Sequence, residues 1–205
     1  MGLDISVMIA DWSWLGEVPP RERLKRLRGA WYADETGLWD HRTPEPEGDF
    51  TWPQGPGSSF FALYEFRRTM GSFKAHFRAG ERWESLRDHV GPQVRGGLDT
   101  LLLGLIWDGP DGEAPHIDQG FFSDDPTISY GMLLARSPES VRELAATWER
   151  VEPLLGGLGP AFIEHAAAPG GWIGEFSEFT DLLEDWGRVL TEAERRGWGV
   201  VGLSQ

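Results

Sequence analysis

The chain has 205 residues, 40% of them apolar and 12% aromatic, and its net charge is −14. That content excludes a disordered chain, and the length suits one well-buried domain. With no Cys there is no disulfide or thiolate chemistry, and no apolar run approaches the roughly 20 residues of a membrane span.

The charge is unevenly placed. Residues 1–95 hold 13 basic and 14 acidic side chains, whereas residues 96–205 hold 6 basic and 19 acidic ones. An acidic field repels nucleic acid and anionic membranes, because phosphate binding draws on cationic contacts. It favours a basic protein partner, or the chain's own basic first half. Met1-Gly2-Leu3-Asp4-Ile5 has no basic region and does not read as a signal peptide. Together with the absence of Cys, this makes the cytoplasm the expected location.

Ile5, Val7 and Ile9 alternate, predicting a strand over Asp4–Ala10. Trp12, Trp14 and Leu15 follow, and Pro19-Pro20 breaks the chain. Leu24, Leu27 and Trp31 then share one side of a helix over Arg21–Tyr32, with Arg21, Arg23, Lys25, Arg26 and Arg28 around the rest. Such charges read as a solvated face or one turned toward the acidic half. Residues 33–57, rich in Pro and Gly, read as a long loop. Trp39, Phe50 and Trp52 either line a pocket there or pin the loop onto the core, and pinning is the simpler reading. Ser58–Val90 is expected to be helical in two pieces. Its first apolar cluster is Phe60, Phe61, Leu63, Tyr64 and Phe66, and it carries a second basic zone from Arg67 to Arg87. Basic residues among aromatics can mark single-stranded nucleic acid binding, but the overall acidity argues against it.

Leu98–Trp107 is apolar enough to be a buried helix or a buried strand. An acidic loop follows over 108–126. It holds Asp108, Asp111, Glu113, Asp118, Asp124 and Asp125, with His116 among them and no Lys or Arg. Oxygen ligands suit calcium or magnesium, and His116 extends the choice to manganese or zinc. The metal candidates are therefore Asp108, Asp111, Glu113, His116 and Asp118, and the acid–base candidates Asp108, Asp111 and His116. The spacing matches no calcium loop, and Gly, Pro and Asp are also ordinary turn residues.

Thr127–Ala135 reads as a strand. Ser137 as N-cap, Pro138 at the first helical position and Glu139 in the first turn then open a helix through Val141, Leu144, Ala145, Trp148 and Val151. A short helix is expected around Ala161–Ala167, followed by a Pro169-Gly170-Gly171 break. From Phe179 to Ala193 apolar residues recur at three and four, Arg195 and Arg196 lie in the last turn, and Gly197 supplies a left-handed stop. Trp198, Val200, Val201 and Leu203 form a final strand.

Gly197-Trp-Gly199-Val-Val-Gly202 spells the dinucleotide-binding Gly-x-Gly-x-x-Gly. It follows a helix rather than opening one, so that reading is rejected. There is no P-loop, nucleophile elbow or His-Glu-x-x-His pair. The histidines at 41, 76, 89, 116 and 165 stand apart in sequence.

Ser137-Pro-Glu-Ser-Val141-Arg-Glu-Leu144-Ala-Ala-Thr-Trp148 resembles the helix opening of YfbM-like bacterial proteins. Phe179–Leu203, through Glu194-Arg-Arg-Gly197, resembles that family's closing helix and last strand. The likeness covers the last third of the chain. It implies an α+β fold and no defined catalytic residues.

The expected fold is a single α+β domain, a small mixed or antiparallel sheet with helices packed mainly on one face. The sheet should include Asp4–Ala10, Thr127–Ala135 and Trp198–Leu203. Two function classes follow. The first is an interaction protein of the immunity or antitoxin kind that neutralises a basic protein. The second is a small-ligand binder or metal-dependent hydrolase, roofed by residues 33–57 and floored by the 108–125 acids. No cofactor motif is present, and the acidic loop is the place suited to a divalent metal.

Overall fold

A computed structural model describes residues 3–31, 50–52, 60–118, 120–122, 125 and 127–204. Among these residues, five strands form one antiparallel sheet: β1 (Ile5–Ala10), β2 (Phe50–Thr51), β3 (Phe61–Tyr64), β4 (Met132–Arg136) and β5 (Gly199–Ser204). Their order is β2-β3-β1-β5-β4. The closing strand therefore lies inside the sheet, with Val7 opposite Gly202 on one side and Ala135 opposite Val201 on the other.

Because side chains alternate across a strand, the sheet has two cores. Ile5, Val7, Ile9, Ala62, Tyr64, Leu134 and Val200 face the larger one. It is built from α3 (Phe73–Leu86), α4 (Pro92–Leu102), α6 (Pro138–Val151), α7 (Gly159–His165) and α8 (Phe176–Arg196). Met8, Ala10, Phe61, Leu63, Val201 and Leu203 face the smaller one, under α1 (Trp12–Gly16), α2 (Arg23–Trp31) and Phe122. The helices thus lie mainly on one face, and the fold is α+β.

Local signals account for the best-formed helices. Ser137 accepts the Ser140 amide at the start of α6, with Pro138 following. Glu175 and Glu178 form a reciprocal capping box at the start of α8, and Gly197, at φ 68°, ends it. Trp186 and Val200 are fully buried, so the C-terminal helix–strand unit belongs to the core. Each such apolar side chain contributes about 1.5–3 kcal/mol. In the Gly-x-Gly-x-x-Gly stretch, Gly197 is this helix stop, and a Cβ at Gly199 would overlap the Trp12 ring. Gly197 serves the backbone turn and Gly199 the packing of Trp12.

Several expectations are corrected. Residues 61–64 form strand β3, not a helix. All four are buried, because both faces of the strand meet a core, and a strand buried on both sides shows no alternation to distinguish it from a helix. Phe50–Thr51 is an edge strand within the expected loop. Residues 127–131 form a turn and the short α5 (Ile128–Gly131), so β4 starts only at Met132. The ambiguous Leu98–Trp107 divides into the end of α4 and a tight turn closed by a bridge between Leu103 and Trp107. The basic α2 turns inward in part. Arg23 donates to the carbonyls of Leu15, Val18 and Phe121 and stacks on the Phe121 ring.

Candidate functional site

The acidic loop does not act as one unit. Asp118 accepts from Arg136 Nη1 (2.8 Å), the Ser137 amide (2.8 Å) and Ser140 Oγ (2.6 Å). Burial pushes its carboxyl up, but the bonds from Ser140, Ser137 and Arg136 prevail and hold it below the usual carboxylate range. Arg136 also donates to the carbonyls of Leu103 and Pro115. Asp118 and Arg136 thereby tie the loop to β4 and to the start of α6.

Asp108 and His116 meet at 2.5 Å between Oδ1 and Nε2. A carboxylate that orients an imidazole is the arrangement of a general base or of two metal ligands. Asp111 and Glu113 are exposed. Among the described residues, no three of these groups are gathered to hold a metal ion. Asp125 is buried and caps the turn through Thr127. Asp124 lies outside the described residues.

Of the two pocket-lining candidates, Trp39 lies outside the described residues. Trp52 is half-buried, 6.1 Å from the rings of both Phe50 and Trp198. The Arg196 guanidinium lies 4.1 Å over it, a cation–π contact. Trp52 pins the chain to the core.

The folded chain makes a second acidic place, one that no motif announces. Between α6 and α8 lies a groove of about 500 Å³ over Phe50, Tyr64 and Trp148, rimmed by Glu149, Glu152, Glu184 and Glu192. The helices approach closely because residue 187 is Gly, where a Cβ would overlap the Trp148 indole. Beneath the groove, Asp185 is fully buried. It accepts from Tyr64 Oη at 3.0 Å and from the Arg67 amide and Nε at 2.8 Å each. Burial pushes the Asp185 carboxyl up, and the bonds from Arg67 and Tyr64 offset this only in part.

The rim carboxylates differ in their partners. Glu192 accepts from Arg195 and Arg196, and the Arg195 bond is the main reason its carboxyl sits low. Glu184 is 3.5 Å from Arg67. Glu149 and Glu152 are exposed and have no cationic partner among the described residues. Arg188 also lines the groove. Carboxylates beside aromatic faces suit a guanidinium or ammonium group.

The histidines, scattered in sequence, find distinct places. His76 is buried, accepting the Trp186 indole N–H on Nδ1 at 3.2 Å. His89 and His165 stack with ring centroids 3.5 Å apart, and Glu164 lies 3.7 Å from His165. His41 lies outside the described residues.

No family model, curated protein or solved structure matches the chain. Among the described residues, no helix is long and apolar enough to cross a membrane.

Proposed function

We propose that the protein is a cytoplasmic binding module that captures a basic protein in the acidic groove between α6 and α8. The observation that carries this reading is the pair Glu149 and Glu152, which line the groove with Trp148 and Tyr64 and have no cationic partner among the described residues. An arginine or lysine entering there meets charge at the rim and an aromatic floor. The surrounding negative field speeds its approach. Neutralising a basic partner is the work of an immunity or antitoxin protein, and the resemblance of the C-terminal third to YfbM-like proteins brings no defined catalytic residues with it. Calorimetric titration with an oligo-arginine peptide tests it. The Glu149→Gln/Glu152→Gln pair should weaken binding at least tenfold, and salt should slow association to the parent protein. Equal binding by parent and variant would sink the reading.

A second reading rests on the Asp108–His116 contact. This pair forms half of a divalent-metal or hydrolase site, completed by water or substrate. Melting with manganese, zinc or calcium should then raise Tm through linkage, and His116→Ala should abolish the rise. The absence of any shift in the parent counts against it.

A further inference from the structure

Beside α3, a cavity of about 720 Å³ is lined by Lys74, Arg78 and Arg82 and by the turn Ala168–Trp172. Its size falls within the range of small-molecule sites. The three cations recur every four residues, so they share one face of α3 and span roughly 12 Å of its axis. Every charged side chain that lines the cavity is positive, in a chain whose net charge is −14.

The opposite wall is firmly held. Arg82 Nε donates to the Ile173 carbonyl at 2.9 Å, and the Ala168 amide donates to Gly174 at 3.1 Å. Glu178 accepts the Gly174 amide at 2.7 Å, so this nearby carboxylate is bound to backbone. Ile173 is buried at φ 55°, a conformation a β-branched residue keeps only when its surroundings impose it. Trp172 is half-buried in the cavity wall.

Arg78 is paired with Glu81, whereas the Lys74 ammonium has no partner among the described residues. The row therefore carries a net charge of about two, which matches the roughly −1.5 to −2 of a phosphate monoester at neutral pH. We infer that this cavity binds a small phosphorylated molecule, its phosphate or pyrophosphate along Lys74, Arg78 and Arg82 and its planar part against Trp172. The site is separate from the acidic groove and does not depend on it.

Calorimetric titration of the full chain with pyrophosphate, ADP and adenosine tests this. Pyrophosphate and ADP should bind, ADP more tightly through its base, and adenosine should not. Lys74→Gln and Arg78→Gln should each weaken ADP about tenfold or more, because each removes a charged hydrogen-bond donor. Lys74 is exposed and lies in the first turn of α3, so its variant should keep the parent's melting temperature. If the Arg78 variant melts early, Lys74→Gln alone decides. No binding of either phosphate at millimolar concentration would overturn the proposal, as would unchanged affinity in Lys74→Gln. An oligo-thymidylate that binds more tightly than ADP and displaces it would also overturn it, by showing a nucleic-acid surface instead.

Discussion

Trp186 and His76, 110 residues apart, are joined in the core by a 3.2 Å hydrogen bond from the indole N–H to the imidazole Nδ1. An indole only donates, so Nδ1 is the acceptor and the imidazole proton sits on Nε2. That nitrogen is buried without a partner among the described residues. Phe66 and Phe73 complete the surround, with ring centroids 4.7 and 6.3 Å from His76. Burial lowers the His76 pKa to about 3.

Acid sensitivity follows from this pair. Below the unfolded value of about 6.5 the unfolded chain takes up a proton that the folded chain refuses, so stability falls as pH drops toward 3. The slope is about 1.36 kcal/mol per pH unit, which makes the loss at pH 5 about 2 kcal/mol. His76→Phe should be less stable than the parent at pH 8, because the Trp186 N–H loses its acceptor, by about 1–3 kcal/mol. Its stability should nevertheless change less between pH 7 and pH 5, by about the same 2 kcal/mol. Urea unfolding at both pH values measures this, and parallel profiles for parent and variant would refute it.

Asp185 joins β3, the segment after it and α8 through Tyr64 and Arg67. Removing its carboxylate takes away the acceptor shared by the Tyr64 hydroxyl and by the Arg67 amide and Nε. Asp185→Ala should cost about 2–3 kcal/mol, and Tyr64→Phe about 1 kcal/mol. Chemical denaturation should show this order, and a smaller loss for Asp185→Ala than for Tyr64→Phe would contradict the network.

The acidic loop should divide by role. Asp118→Ala removes the carboxylate partner of the buried Arg136 and the acceptor of the Ser137 amide, and should cost about 3 kcal/mol. Asp111→Ala and Glu113→Ala should stay within about 0.5 kcal/mol of the parent. Because the Asp118 carboxyl is held low when folded, its contribution is present above the unfolded carboxylate range and fades as pH falls through the folded value. Thermal melts of the three variants at pH 7 separate them.

Gly187→Ala tests the floor of the groove. The added methyl meets the rigid Trp148 ring and must force α6 from α8, at about 1–3 kcal/mol. It should also weaken oligo-arginine binding while leaving ADP binding unchanged. A variant as stable as the parent would show that the helices are not in close contact there.

The parts of this protein that short-range chemistry controls are legible in the residues. Ser137-Pro138 and the three-four spacing place α6. The run from Phe179 to Ala193 with Gly197 places α8, and the alternation in Ile5–Ile9 places β1. Each depends on neighbours within a few positions, where helix caps and side-chain period operate. Tertiary structure decided the rest. Phe61–Tyr64 became a strand because two cores needed it, and its uniform burial erased the period that would have marked it. Asp118 went to Arg136, and Asp108 to His116, although they share one loop. The groove and the phosphate cavity join side chains from distant segments, as Tyr64 and Asp185 do across 121 residues. Packing brings such groups together, and no spacing along the chain encodes which of them will meet.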